Sequence, residues 1–431
     1  MIEKPAARRL SRKLKAFRRK PWSLLNALSW LETETAALAG TEWWEQELRD
    51  RVTALRTTVA DFAPWLLPEF QEHCPLPEFH GKAKLEKLSL ESAPAVYAAI
   101  SKHIDKQTGE PAGPHWPTLR AALERSNTLC TDLIARLDGL AATAGELANA
   151  MNFGLFFDAK KKMLAIGYRT EDARREETHY GLLASEARTA LFAAIARGDI
   201  EKQCWFTLGR AQTLWENSPV LLSWTGTMFE YLMPLLWMHP YRNTFLQQSH
   251  RSVLKAQRGF AAKRKIPWGI SESSCSESNP DGHYRYYAFG LPELSLKRRE
   301  AEELVVSPYS SFLALPVDAA AAAKNLRELT AGGMLGTYGY YDAVDYTRSN
   351  IARCWMAHHQ GMIMTAAANF LCDASMRRRF HAEPVVAASD RLLQEKIPNR
   401  QSVTIRVVAK EHASEIHDFG GYEPRQPARA S

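Results

Sequence analysis

Apolar residues recur at intervals of three and four along most of this 431-residue chain, and nowhere do blocks of strand and helix alternate. "SLLNALSWLETETAALAG" and "TLRAALERSNTLCTDLIARLDGLAATAGELANAM" carry the pattern within residues 22–66 and 93–150. It returns in "YGLLASEARTALFAAIARGD", where Gly198 suits a helix C-cap. "EKQCWFTLGRAQTLW", Met228–Met238 and Tyr241–Ala262 read as the next helices. "ELSLKRREAEELV", "PYSSFLALPVDAAAAAKNLRELTAGG", "ARCWMAHHQGMIMTAAANFL", "DASMRRRFHAEP" and "VVAASDRLLQEKI" follow. The period changes in "FGLFFDAKKKMLAIGYR", which predicts a small β-hairpin, and "SVTIRVV" reads as a terminal strand. "CPLPEFHGKAK" is a loop. About a dozen helices without βα alternation indicate an all-α domain. A helical solenoid repeats itself every 30–50 residues or so. No such repeat is visible, so a closed double ring of helices is expected.

A composition of 45% hydrophobic and 24% charged residues suits a chain that buries a large core. The six cysteines form no C-x-x-C pair and read as free core thiols in a reducing compartment, not as disulfides or a zinc site. The most apolar run, "SPVLLSWTGTMFEYLMPLLWM", contains Glu230 and two prolines and predicts a buried helix, not a membrane span. The N-terminus lacks a signal-peptide core, so a cytoplasmic location is expected. The net charge of +7 is concentrated in "MIEKPAARRLSRKLKAFRRKPWSLL". Such an arm suits an anionic membrane surface, or simply a solvated tail. With no nucleic-acid-binding module beside it, no nucleic acid partner is expected. The expected organisation is a basic arm over 1–21, an N-terminal helical region over 22–150 and the main helical domain over 151–400. A strand and tail would occupy 401–431.

Three polar loops interrupt the helices. "SWTGTMFEYLMPLLW" holds Trp224 and Glu230, "PWGISESSCSESNPDGHYRYYAFG" holds Trp268, Glu272, Asp281 and Tyr286, and "GMLGTYGYYDAVDYT" holds Tyr338, Tyr340, Asp342 and Asp345. Aromatic rings cover pyranose faces while carboxyl groups handle protons. A glycoside hydrolase needs one carboxyl as acid or base and a second as nucleophile or activator of water. Apolar surroundings would keep the acid protonated near neutrality. Each candidate also has an ordinary structural use. Glu230 can cap its helix or pair with an arginine, Asp345 can cap a helix starting at "YTRSN", and the tyrosines can pack as core. Adjacent His358 and His359 do not chelate as an i, i+4 pair would, so neither metal nor cofactor is expected; one histidine should line a cleft and the other pack.

"GYRTEDARREETHYGLLASEARTALFAAIARGDIEKQCWFTLGR", "SWTGTMFEYLMPLLWM", "PWGISES", "YYAFGLPELSLKRR", "GTYGYYDAVDYT" and "MAHHQGM" together resemble cyclic β-1,2-glucan synthases, in the order and spacing of their glucoamylase-like domain. "DFAPWLLP", "MRRRFHAEP" and "RLLQEKIP" extend the resemblance over nearly the whole chain. It implies an (α/α)6 barrel over 151–400 and anomer-retaining transglycosylation that closes linear β-1,2-glucan into rings, with some hydrolysis. It also implies Glu272 as acid/base and Asp342 at the nucleophile position. Trp224, Glu230, Trp268, Tyr286, Tyr338, Tyr340, His358, His359 and Gln360 become cleft residues by the same resemblance. Two departures accompany it. Asp342 stands where the family has glutamate, and a misplacement of about 1 Å can cost on the order of a hundredfold. "SCSESN" replaces an aromatic and an asparagine, which removes sugar contacts at Cys275 and Ser276. The chain has no counterpart of the family's glycosyltransferase, membrane helices or phosphorylase-like module, so polymerisation of glucose is not expected of it. The expected partners are β-1,2-glucan or a related oligosaccharide and other synthase modules. The alternative expectation is a weakened or inactive glucan-binding module.

Overall fold

The helical periodicity of the first third becomes, among the described residues, the long helices α1 (Leu24–Ala36), α2 (Trp43–Phe62), α3 (Ala93–Lys106) and α4 (His115–Ala150), with one further turn at Pro68–Gln71. The computed structural model describes residues 24–38, 43–71, 88–106, 115–280, 282–297 and 303–399. The basic arm, the "CPLPEFHGKAK" loop, Cys74, Asp281 and the strand expected at "SVTIRVV" lie outside the described residues. The chain separates into two compact units, Met1–Met151 and Asn152–Ser431. In the first, Leu28, Trp65, Tyr97, Ile100, Leu119, Leu123 and Cys130 form one apolar core. The buried Tyr97 hydroxyl donates to the carbonyl of Phe62 at 2.8 Å, which removes the cost of an orphaned donor.

The second unit is helix-rich but carries more strand than the sequence reading expects. Its helices are α5 (Ser185–Arg197), α6 (Met228–Leu232), α7 (Phe245–Arg264), α8 (Pro308–Leu313), α9 (Ala319–Ala331), α10 (Ala357–Leu371), α11 (Ser375–Ala382) and α12 (Pro384–Ser389). Gly198 closes α5 in the left-handed conformation, as its position suggests. The expected hairpin forms between β1 (Phe157–Asp158) and β2 (Met163–Leu164), followed by β3 (Tyr168–Arg169) with β4 (Arg174–Arg175). "EKQCWFTLGRAQTLW" is no helix beyond one turn at Cys204–Thr207. It continues as β5 (Gln212–Trp215), paired with β6 (Ser218–Leu221). Glu216 and Asn217 both hold positive φ there, the two-residue turn that matches strand twist. Met228–Met238 is likewise broken, because Pro234 falls in a tighter turn over Met233–Leu236.

The two remaining polar loops are hairpins. β7 (Glu272–Ser278) pairs antiparallel with β8 (Tyr284–Ala288). Beyond β9 (Val305–Val306), β10 (Leu335–Gly336) pairs with β11 (Gly339–Tyr340), and β12 (Ala343–Asp345) lies between β13 (Asn350–Ala352) and β9. The expected helix at "ELSLKRREAEELV" is replaced, in its described parts, by a short turn at Pro292–Leu294 and by β9. Asp345 sits in a strand and caps no helix. Its oxygens accept from Ser276 and from the backbone and guanidinium of Arg348. Burial alone would raise this carboxyl, but those hydrogen bonds outweigh it and hold its pKa low.

Leu191, Phe192, Trp205, Tyr231, Val253, Phe289 and Tyr309 lie in the core of the second unit. Cys204 and Cys275 are buried there, whereas Cys372 is exposed. No described helix is long and apolar enough to cross a membrane. Gly226 and Gly290 let the Trp224 loop lie directly on the chain after β8. A Cβ on Gly290 would meet the Thr225 carbonyl, and Leu291 donates to the Gly226 carbonyl at 3.1 Å. Gly290→Ala is therefore expected to destabilise the chain by about 1–3 kcal/mol in urea unfolding, as overpacking does. A midpoint equal to wild type would mean that the two backbones part without cost.

Candidate active site

Glu272 opens β7, and the register decides which side chains face it. Ala288 lies directly opposite and Tyr286 opposite Ser274, so the diagonal neighbour of Glu272 on the same face is Tyr286. The Tyr286 hydroxyl lies 3.0 Å from Glu272 Oε1. The same hydroxyl lies 3.2 Å from Nε2 of His358 and 3.3 Å from Nε2 of His359, both from the first turn of α10. His359 Nδ1 in turn lies 2.5 Å from Asp342 Oδ1. Glu272, Tyr286, His358, His359 and Asp342 are thus one connected group drawn from three segments.

Asp342 is the buried end of this chain. Its side chain is wholly covered. Oδ2 accepts from the Ser274 backbone N–H at 2.7 Å while Oδ1 faces His359. Its backbone N–H donates to the Cys354 carbonyl and its carbonyl accepts from Ser307 Oγ. His359 is buried and stacks on Tyr309, with ring centroids 3.9 Å apart and planes inclined by 16°. His358 is exposed.

Glu272 is the partly buried end. Burial raises its pKa and outweighs the opposing hydrogen bond from Tyr286; the charge of Glu186, at the start of α5, pushes the same way. Burial, and then the negative charge of Glu272, also raise Tyr286, so its phenol stays protonated. Proton counting then allows two arrangements. With His359 neutral and its Nδ1–H directed to Asp342, Nε2 must accept; the phenol donates to it and accepts from a protonated Glu272. With Glu272 ionised, the phenol donates to the carboxylate instead.

The other sequence candidates fall elsewhere. Glu230 accepts from Ser223, Thr225 and Thr227 side chains and from backbone N–H groups of Trp224, Thr225 and Thr227. It closes a capping box with Thr227 on α6, the structural use open to it in the sequence. Trp268 is 7% exposed and its backbone is bracketed by Asn325, so it packs as core. Trp224 is 54% exposed on a loop held to Ser295 and Lys297 through its carbonyl. Tyr338 is 75% exposed and meets Trp355 edge to face, and Tyr341 also packs on that indole, with centroids 5.0 Å apart. Tyr340 turns its hydroxyl to Thr330, and Gln360 donates to the Tyr340 carbonyl, tying α10 to the β10–β11 hairpin.

Sequence reasoning missed Tyr309, whose hydroxyl donates to the Glu272 carbonyl at 2.9 Å, and also Trp355, Ser274 and Glu186. Nothing in "SPYSS" or "SEAR" separates such residues from ordinary helix starts; only their neighbours in space do. Among the described residues no group of histidines, cysteines or carboxylates has the arrangement of a metal site.

Linkage gives the pH behaviour of this group. A carboxyl whose folded pKa is raised binds its proton more tightly in the native state. Its stabilising effect is present below the ordinary value of 4.5 and is lost as pH rises through the raised folded value. Glu272→Gln should therefore unfold at a higher temperature than wild type at pH 7, with the difference vanishing near pH 4. A variant less stable than wild type at pH 7 would show that the ionised carboxylate is the stabilising form.

Residues 178–384 match the Glycoamylase family model, described as "Putative glucoamylase". The chain is 40% identical over 271 residues, 61% of its length, to the cyclic beta-(1,2)-glucan synthase NdvB of Rhizobium meliloti (strain 1021), and spans 10% of that relative. Among solved structures it is similar to an endo-beta-1,2-glucanase from Chitinophaga pinensis in a sophorotriose and glucose complex, at 15% identity over 71% of each chain with a TM-score of 0.46. An endo-beta-1,2-glucanase from Talaromyces funiculosus with sophorose is 13% identical over 71% of this chain and 66% of that one, with a TM-score of 0.42. Both likenesses are too distant to assign a topology. On its motifs and its 40% identity to the synthase, this chain resembles the glucoamylase-like domain of cyclic β-1,2-glucan synthases.

Proposed function

We propose that the second unit is an (α/α)6-type catalytic domain acting on β-1,2-glucan, by retaining transglycosylation or endo-hydrolysis, with Glu272 as its acid/base. The observation that carries this is Glu272 itself. It is a partly buried carboxyl whose pKa burial raises, backed by a hydrogen-bonded chain through Tyr286 and His359 to a buried carboxylate. A protonated Glu272 donates its proton to the glycosidic oxygen as that bond breaks. The acceptor, a hydroxyl from the far end of the same glucan or a water, then bonds to the anomeric carbon on the face the leaving oxygen vacated and returns its proton to the Glu272 carboxylate, giving a ring or a shorter linear chain. Trp224 and Tyr338, the two most exposed rings among the candidates, are the surfaces offered to glucosyl faces.

Asp342 enters this reading as the second carboxylate, but through His359. Both its oxygens are occupied and none of its side chain is exposed, so direct attack on an anomeric carbon would require its uncovering. Its negative charge holds the Nδ1–H tautomer of His359. That tautomer lets the phenol of Tyr286 accept from a protonated Glu272. The same burial favours the alternative, a glucan-binding module whose turnover has lapsed with the missing direct nucleophile.

Incubation of the purified chain with linear β-1,2-glucan, read by mass spectrometry, separates the readings. Products one water lighter than linear chains are expected from cyclisation and shorter linear chains from hydrolysis. Glu272→Gln should lower kcat/KM by about 10²–10⁴-fold. Asp342→Asn should reduce activity and move the alkaline limb of the kcat/KM profile to lower pH, since the freed His359 tautomer favours ionised Glu272. A loss of activity with the limb unmoved would make Asp342 merely structural. An unchanged glucan spectrum, with calorimetric binding retained, would overturn the enzyme reading in favour of the binding module.

A further inference from the structure

Arg188, the fourth residue of α5, is 2% exposed, yet its guanidinium makes one long hydrogen bond, to the Tyr231 carbonyl at 3.5 Å. Its Nε is buried without a partner. His250, on α7, is 4% exposed; neither ring nitrogen has a partner of full hydrogen-bond geometry, although the imidazole faces the same Tyr231 carbonyl. Both side chains line one small pocket, bordered also by Pro234, Met238, His239, Tyr241 and Leu393, with room for a single small guest. The cavity lies in the second unit and shares no lining residue with the Glu272 group.

Its polar balance is one-sided. The Tyr241 hydroxyl is committed to Asp390 and the Thr244 hydroxyl to the Tyr241 carbonyl. Glu395, whose charge supports Arg188, has its oxygens taken by Trp205 and Arg210. Burial lowers Arg188 only to about 10, so it is charged at neutrality, while burial and then that charge lower His250 to about 3, so its imidazole is neutral. A buried guanidinium without a counter-charge is strongly unfavourable, and a neutral water would satisfy donors without balancing charge.

We propose that this cavity binds a halide-sized monovalent anion, held by the guanidinium of Arg188 and the ring N–H of His250. The anion supplies in contact with the guanidinium the counter-charge that Glu395, held by Trp205 and Arg210, gives only from a distance, and it ties α5 to α7 beneath the Pro234 turn. This site is independent of the glucan reading, and its test uses no turnover.

Thermal unfolding of the full chain in sodium bromide, compared with sodium gluconate at matched ionic strength, should show a saturable rise of about 2–4 °C. Arg188→Met, which keeps the apolar stem and removes the charge, should abolish the difference. Crystals grown in bromide should show an anomalous peak within about 3.5 Å of the guanidinium. Equal midpoints in the two salts, a halide effect that persists in Arg188→Met, or bromide-grown crystals with no anomalous peak at the site would each overturn the proposal. Should Arg188→Met not fold, the bromide peak alone decides.

Discussion

The carboxylate of Asp342, buried and divided between the Ser274 N–H and His359, holds the candidate site together. One oxygen belongs to the β7–β8 hairpin and the other to α10, while the backbone of the same residue is pinned by Cys354 and Ser307. Three segments, around Ser274, Ser307 and Cys354–His359, therefore meet on one residue. A buried carboxylate survives only where each oxygen finds a donor. The position of His359, and through it of Tyr286 and Glu272, follows from that demand.

The chain running from Asp342 to Glu272 joins two carboxyl groups in unlike surroundings. Asp342 has no exposed surface and two firm partners; Glu272 is only partly buried, with a pKa raised by burial. Separation of this kind is how one site assigns different tasks to chemically similar groups. Tyr309 adds rigidity from a third direction, since its ring stacks on His359 and its hydroxyl holds the Glu272 carbonyl. The distance from Glu272 to the tyrosine is thereby set by sheet register and aromatic packing together.

The helices whose apolar residues recur at three-to-four spacing, such as α4, α5 and α7, were legible because that spacing has one periodic meaning. Short strands were not. "ESSCSES" looks polar, yet Ser273, Ser274 and Cys275 are buried in β7, which packs against β12 and β13. Glu272 and Asp342 could be singled out through their motifs, but the same reasoning put forward Glu230, which serves as a helix cap, and Trp268, which is core. In sequence a carboxylate that caps a helix and one that faces a cleft look alike. The difference is which donors surround it, and those donors come from residues up to about seventy positions away.

From the sequence alone followed the helix-rich character of the second unit, the β1–β2 hairpin, the Gly198 cap and the resemblance to the glucoamylase-like domain. All of these rest on local spacing or on ordered motifs, which a one-dimensional string retains. Only the tertiary structure decided that Tyr286 faces Glu272, that both histidines of "HHQGM" reach the same phenol, and that Asp342 is covered. It also decided that Arg188 lies in the core beside His250 with its Nε unpartnered. Burial and hydrogen-bond partnership are properties of a neighbourhood assembled from distant segments, and no spacing within a single segment encodes them.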